Sequence, residues 1–366
     1  MTILLSVLTA FTVTFILLPI IIKVSKSIDL LDAPDRRKIH NISTPALGGI
    51  AIFIGSITAS TMTIPFYLLA DLKYLFFALL IIFLMGLRDD ISSLLAKHKL
   101  FVQIFATLLV VQFAGIRLHG LYGIFGIDAM PEWFNISLTM FVIVALTNSF
   151  NLIDGIDGLA GSIGILILSF FGWVFLMTGQ VHFAIFALAV AGAVFAFLFF
   201  NWHPSKVFMG DTGSMILGFV ISSLAIEFIN GASEVSLLGH ELTSTVGLAI
   251  AILILPVYDT LRVFTIRFVN GKNPLDPDRN HIHHGLLKLG MNHAEAALTL
   301  VSVNLFILIL GVLLTPHLNN LMLTLVVLAT AATTTGILDF KLAKKKYLGK
   351  QATVLPKGDL YISKSA

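Results

Sequence analysis

From Gly158 to Ser205 the chain carries no Asp, Glu, Lys or Arg. A helix crosses the hydrocarbon core of a bilayer in about 20 mostly apolar residues. The run is therefore too long for one span, and it divides at Thr178-Gly-Gln-Val-His182 into two. The pattern recurs in Thr2–Ile22, Ala46–Ala70, Leu72–Leu87 (Lys73 near its start), Leu100–Ile116, Trp133–Ile153, Ser214–Ile229 (Glu227 near its end) and Leu242–Tyr258. Ala296–Leu338 is long enough for two spans, split at Pro316-His-Leu-Asn-Asn320. About eleven spans are expected. Charged residues make up 12% of the chain, against about 25% in soluble domains, which excludes a soluble core. The fold class is all-α, a polytopic integral membrane protein. The first run lacks a basic start and a small-residue cleavage site, so it reads as a retained span rather than a signal peptide. With no cysteine, disulfides, thiolate metal sites and a Cys nucleophile are excluded.

Basic residues orient such a bundle, because Lys and Arg accumulate on the cytoplasmic side. With the N-terminus outside, all of the 23 Lys and Arg except Lys73 and Arg117 fall on inner segments. The C-terminus is then cytoplasmic. Residues 1–340 read as one transmembrane domain and 341–366 as a basic cytoplasmic tail, whose Lys344-Lys345-Lys346 cluster suits a topology anchor.

One polar stretch interrupts the apolar pattern most sharply: Asn148-Ser-Phe-Asn-Leu-Ile-Asp-Gly-Ile-Asp-Gly-Leu-Ala-Gly161. Carboxylates at the edge of a membrane segment are costly and are rarely kept without a task. If the stretch begins as a helix, Asn148, Asn151 and Asp154 share one face, and the glycines after Asp154 and Asp157 let the backbone bend or approach a ligand closely. The bland alternative is a polar connector between helices.

The other unusual polar groups fall on the same inner side. Adjacent Asp89 and Asp90 repel unless a cation lies near, and a hard divalent ion with oxygen ligands relieves this. Mg²⁺ characteristically takes one or two carboxylates plus substrate phosphates. Surface pairing with Arg88 or Lys97 is the competing explanation. Gly210-Asp211-Thr-Gly-Ser214 opens a span, where free N–H groups favour anions, although a plain N-cap would look the same. Asp259 ends another span. His281-Ile-His-His284 lacks the spacing of a zinc helix, so phosphate or substrate contact is expected there, with Arg279 beside it. The first inner loop offers Arg36, Arg37 and Lys38 to an anionic headgroup or nucleotide, although topology alone also explains them.

Together Gly86-Leu-Arg-Asp-Asp90, Asn148–Gly161, Val207–Ser214 and Pro277–His284 resemble the polyprenyl-phosphate N-acetylhexosamine-1-phosphate transferase family, over almost the whole chain and in motif order. The Asp-Arg-x-His-Ile-His-His form is similar to the branch that transfers N-acetylglucosamine 1-phosphate; the peptidoglycan branch has a different histidine run. The resemblance implies that UDP-GlcNAc and undecaprenyl phosphate give undecaprenyl-diphospho-GlcNAc and UMP with Mg²⁺ or Mn²⁺. That reaction starts O-antigen, enterobacterial common antigen or teichoic acid at the cytoplasmic face of the bacterial inner membrane. It also implies residue roles and a homodimer. Asp211, with Asp89 and Asp90, matches the metal ligands. Asp89, Asp90, Asp154, Asp157, His281, His283 and His284 match catalytic positions. Lys38, Asn148, Asn151, Asp157, Arg279 and His283 match substrate contacts. Some members carry a third acid after the aspartate pair, where this chain has Ile91-Ser-Ser93. Rival readings are another UDP-N-acetylhexosamine on the same fold, or an ion-coupled transporter with buried acids near the midplane.

Overall fold

A computed structural model describes residues 1–27, 44–232, 236–237, 240–271 and 280–354. The apolar runs fold as helices. In chain order they are α1 (Thr2–Ser27), α2 (Gly48–Thr63), α3 (Phe66–Ile91), α4 (Ala96–Leu109), α5 (Glu132–Ile153), α6 (Leu159–Met177), α7 (Val181–Asn201), α8 (Gly210–Gly231), α9 (Thr245–Ile252), α10 (Ile254–Val269), α11 (Ile282–Leu289), α12 (His293–Leu314) and α13 (Asn320–Val354). Two short antiparallel hairpins accompany them, β1 (Gly120–Ile124) with β2 (Ile127–Ala129) and β3 (Ser236–Leu237) with β4 (His240–Glu241). Among the described residues nine helices are long and apolar enough to cross a membrane, or ten if the bent pair α9–α10 is one span. The all-α membrane architecture is as expected. The division differs from the eleven full-length runs at two places, and proline explains both.

The apolar run 46–70 is not one span. Pro65 follows Ile64, whose backbone is extended, as the steric clash of a proline ring with its predecessor requires. The run therefore ends α2 after 16 residues and gives its remainder to α3. The run 242–258 is broken as well: α9 and α10 meet at 78°. Pro256 has no N–H to offer the carbonyl of Ile252, and its ring crowds that carbonyl. In a bilayer the freed groups must find partners inside the protein. Asn304 of α12 supplies them: its Nδ2 donates to Ile252 O at 3.0 Å and its Oδ1 accepts from Leu255 N at 3.2 Å. At the opposite end of α9, Asn320 Oδ1 accepts from Val246 N at 2.9 Å, and its Nδ2 donates to the Tyr122 carbonyl of β1 at 2.7 Å.

Helix α8 forms the centre. Of its most apolar stretch 89% is buried, against 22% for α1 at the periphery. Small residues let its neighbours approach the backbone, the usual device where lipid gives helices no hydrophobic drive to associate. A Cβ on Gly86 of α3 would stand 2.5 Å from Thr212 Cα, and one on Gly49 of α2 would collide with the backbone of Gly213. Residues 45–49 also pair with the segment before α8, through Phe208 N to Pro45 O (2.8 Å), Gly48 N to Phe208 O (3.0 Å) and Gly49 N to Met209 O (2.9 Å). The start of α8 is thus clasped by the end of α3 and the start of α2, and at that end of the bundle the polar motifs meet.

Candidate active site

Helix α5 carries Asn148 and Asn151 on one face and ends at Ile153, so Asp154 stands just past its last turn. The Asn151 amide donates to Asp211 Oδ1 at 3.0 Å and to Ser214 Oγ at 2.9 Å. It therefore fixes the orientation of the Asp211 carboxylate at the start of α8. Lys99, in the first turn of α4, reaches the same group from the other side: its Nζ lies 2.6 Å from Asp211 Oδ2 and makes a second ion pair with Asp89. Asp89 also accepts from Leu94 N at 2.6 Å. Four helices, α3, α4, α5 and α8, thus deliver Asp89, Lys99, Asn151 and Asp211 to one point.

Asp90 does something different from its neighbour. Its Oδ1 accepts from Asp211 N at 2.7 Å, and its Oδ2 accepts from Thr212 N at 3.0 Å and from Thr212 Oγ1 at 2.5 Å. The carboxylate caps α8 from the end of α3. The anion expected at this helix start is therefore Asp90 itself rather than a substrate diphosphate. Gly210 has φ +70, and a Cβ there would collide with Ala46 O and lie 2.6 Å from Asp90 Oδ2, so only glycine admits the cap. With three donors engaged, Asp90 orders the position of Asp211 and is the least available of the three acids expected to bind metal.

Asp154 faces this group across the α5–α6 turn. Burial, with the Asp211, Asp90 and Asp157 charges nearby, pushes its carboxyl up to about 7. Asp89, Asp90, Asp154 and Asp211 are four acids balanced locally by Lys99 alone among the described residues. The donors are hard oxygens, Lys99 already marks the point where positive charge sits between Asp89 and Asp211, and the excess is negative. These features fit a divalent cation such as Mg²⁺.

The histidine motif meets the same turn. His281 precedes α11, and His283 and His284 lie in its first turn, so the motif opens a short helix. Asp259 of α10, itself buried, accepts from His281 Nδ1 at 2.9 Å and from Ile282 N at 2.9 Å. Arg262, one turn on, donates to Asn280 O at 2.8 Å while paired with Asp339 of α13 at 2.6 Å. The polar end of α10 thereby sets the motif in place. His283 stacks on His281 with ring centres 5.7 Å apart. Its Nε2 is buried without a hydrogen-bond partner among the described residues and abuts Gly155, where any Cβ would collide with it. Burial and the neighbouring histidines hold the imidazole well below its ordinary range. The lowered pKa favours the neutral ring, and its buried nitrogen adjoins Gly155, the residue after Asp154.

Two expected contacts point elsewhere. Asn148 Nδ2 donates to Gln103 Oε1 at 2.7 Å and its Oδ1 accepts in return at 3.3 Å, a reciprocal amide pair between α5 and α4. Asp157 is buried, and its Oδ2 meets His203 Nδ1 at 2.8 Å and His293 Nδ1 at 3.4 Å, apart from the Asp89–Asp211 group. Lys38 and Arg279 lie outside the described residues, as do Arg36 and Arg37. Sequence reading missed Lys99, Gln103, Ser214, His203, His293 and the positioning roles of Asp259 and Arg262. In the sequence Lys99 is one of many basic residues between apolar runs, with nothing in its spacing to set it apart. The gathered acids sit at helix ends, not near a midplane, unlike the sites of secondary transporters.

The profile of glycosyl transferase family 4 matches residues 72–229, which span the Asp89–Asp90 pair, the Asn148–Gly161 stretch and Asp211. A probable undecaprenyl-phosphate N-acetylglucosaminyl 1-phosphate transferase of Bacillus subtilis (strain 168) is 33% identical over 307 residues, 82% of this chain and 81% of the relative. An undecaprenyl-phosphate alpha-N-acetylglucosaminyl 1-phosphate transferase of Escherichia coli (strain K12) is 29% identical over 80% of this chain and 78% of its own. A decaprenyl-phosphate N-acetylglucosaminephosphotransferase of Mycolicibacterium smegmatis is 32% identical over 72% and 70%. Similarity of this extent, together with the site, means that the chain belongs to glycosyl transferase family 4, the polyprenyl-phosphate N-acetylhexosamine-1-phosphate transferases.

Proposed function

We propose that this enzyme transfers N-acetylglucosamine 1-phosphate from UDP-GlcNAc to undecaprenyl phosphate, releasing UMP, at the cytoplasmic face of a bacterial inner membrane. The product, undecaprenyl-diphospho-GlcNAc, is the first lipid-linked intermediate of a cell-surface polysaccharide. The observation that carries this reading is the convergence of Asp89, Lys99, Asn151 and Asp211 at one end of the bundle, beside Asp154 and His283. The relatives' names agree with it in the transferred N-acetylglucosamine phosphate and in a polyprenyl-phosphate acceptor, which is undecaprenyl in two of them and decaprenyl in the third.

The acceptor phosphate is largely dianionic at neutral pH, because its second pKa is about 6, so a strong base is hardly needed. Positioning and charge neutralisation then carry the catalysis. Asp211 and Asp89 would hold Mg²⁺ (Mn²⁺ as a substitute), with Asp154 adjoining. When bound, the ion supplies Lewis-acid neutralisation of the donor diphosphate. Lys99 keeps the two carboxylates close before the donor arrives and offers its charge to a phosphoryl oxygen afterwards. Asn151 fixes the face that Asp211 presents, and Asp90 holds the backbone beneath it. Buried neutral His283 can accept a hydrogen bond at Nε2 from a sugar or phosphate hydroxyl that enters beside Gly155. Lipid phosphate attacks the sugar-side phosphorus directly, and UMP leaves opposite.

A donor panel tests the sugar. With undecaprenyl phosphate and Mg²⁺, UMP release from UDP-GlcNAc is expected to exceed release from UDP-N-acetylmuramoyl-pentapeptide and from a UDP-diacetamido sugar by at least about 100-fold, as a pocket that hydrogen-bonds its substrate can achieve. Preference for another donor would overturn the sugar assignment. Recovery of a phosphosugar-labelled enzyme without lipid would replace direct attack by a covalent route.

A further inference from the structure

Asp157, His203 and His293 come from three separate segments: the α5–α6 turn, the linker between α7 and α8, and the first residue of α12. One ligand atom from each lies within 4.8 Å of the others. Three groups converge on a single carboxylate oxygen. Asp157 Oδ2 is met by His203 Nδ1 at 2.8 Å, by His293 Nδ1 at 3.4 Å and by Ser205 N at 3.4 Å. His293 Nδ1 is also 3.4 Å from the Asp157 N–H. One imidazole nitrogen cannot both accept from that N–H and donate to the carboxylate beside it. The Asp157 and His293 side chains are buried, whereas that of His203 is 39% exposed. The cluster is thus closed on two sides and open on one.

We propose that Asp157, His203 and His293 form a metal site of their own, which takes a divalent ion of the zinc class. Two imidazoles and one carboxylate are the donor set of zinc, cobalt and related first-row ions, not of Mg²⁺. A tetrahedral ion with bonds of about 2.0–2.1 Å places its ligand atoms roughly 3.4 Å apart; the two separations from Asp157 are 2.8 and 3.4 Å, and all three ligand atoms lie within 4.8 Å of one another. The exposed side of His203 provides the entry path. The surrounding loops are already fixed: Asn201 Oδ1 accepts from Gly158 N at 2.9 Å, and its Nδ2 donates to Val207 O at 2.9 Å. An ion here ties the start of α12 and the α7–α8 linker to the turn that carries Asp154 and Gly155. It braces the active site without entering it, and it differs in chemistry from the all-oxygen pair Asp89 and Asp211. The site stands on these three side chains and does not depend on which sugar the enzyme transfers.

Cobalt reads the site directly. The full-length protein, purified in detergent, stripped with chelator and desalted, is titrated with Co²⁺ in excess Mg²⁺. One equivalent is expected, with the intense visible absorption of a four-coordinate ion, and X-ray absorption should show two imidazole ligands. His203→Gln and His293→Gln should each weaken binding by more than the roughly 10- to 100-fold that loss of an outer-shell partner costs. Asp211→Asn and His283→Gln should retain the signal. Absence of the cobalt spectrum in folded wild-type protein would overturn the proposal even if neither histidine variant folds. Retention of the signal in His203→Gln and His293→Gln, or its loss in His283→Gln, would also overturn it. The short contacts would then be a plain Asp–His hydrogen-bonded cluster.

Discussion

Lys99 Nζ lies 2.6 Å from Asp211 Oδ2, and the same ammonium pairs with Asp89. One lysine therefore holds together two carboxylates that begin and end different helices. Lys99→Met leaves both acids facing each other without a countercharge among the described residues. Breaking a well-desolvated pair by removing one partner costs about 3–5 kcal/mol, but this cluster is partly exposed and the expected loss is nearer 1–2 kcal/mol. UMP release should fall at least about 100-fold, while the rise in melting temperature on adding Mg²⁺ becomes larger than in wild type. A variant with wild-type turnover would remove Lys99 from the site.

The aspartate pair divides its labour, so its two members should fail differently. Asp90 caps α8 through three donors. Asp90→Ala should cost about 2 kcal/mol or more, at the upper end of a lost cap, and reduce activity through displacement of Asp211. Asp89 accepts one backbone N–H and one lysine. Asp89→Asn should abolish turnover with little change in melting temperature. Equal destabilisation by the two substitutions would contradict the division.

The raised carboxyl of Asp154, at about 7, gives a pH signature with a defined sign. Its folded pKa lies above the ordinary 3.8, so it contributes no penalty below that value. As pH rises from about 4 to about 7 the unfolded chain loses the proton first, and stability falls by at most about 4 kcal/mol, levelling off above 7. The carboxyl still reaches the surface, so the measured slope should be shallower than that ceiling. Mg²⁺ favours the ionised form, so the stabilisation it gives should grow as pH rises through 7. Melting curves between pH 5 and pH 8.5, with and without Mg²⁺, check this. Asp154→Asn should flatten both trends.

At the break between α9 and α10, Asn304 satisfies the Ile252 carbonyl and the Leu255 N–H. Asn304→Leu strands both inside the bundle, and a buried backbone group left without a partner costs about 1–3 kcal/mol. Thermal unfolding in detergent should show a loss of several degrees. An unchanged melting temperature would mean that the bend is held by something else.

Much of this architecture is legible in the sequence, because each long apolar run must find a helix in lipid. The breaks at Gly179 and before Asn320 fall where polar and glycine residues interrupt the runs. Pro65 and Pro256 are equally visible, but their consequences depend on neighbours: the extended Ile64 in one case and Asn304 on another helix in the other. In the site, the Asn148–Gly161 stretch and Asp211 stand out as acids where acids are costly. Lys99 does not, because in a membrane protein a lysine between two spans already has a reason to exist. The capping role of Asp90 and the turning of Asp157 toward His203 and His293 are likewise invisible in one dimension, since each arises from close approach of segments far apart in the chain.

The most direct test of the central claim is UMP release by the purified protein with UDP-GlcNAc, undecaprenyl phosphate and Mg²⁺, with mass analysis of the lipid product and Asp211→Asn in parallel. The account predicts release that requires both lipid and metal, one undecaprenyl-diphospho-GlcNAc formed per UMP, and loss of both in the variant. Release without lipid, or release that persists in folded Asp211→Asn, would contradict it.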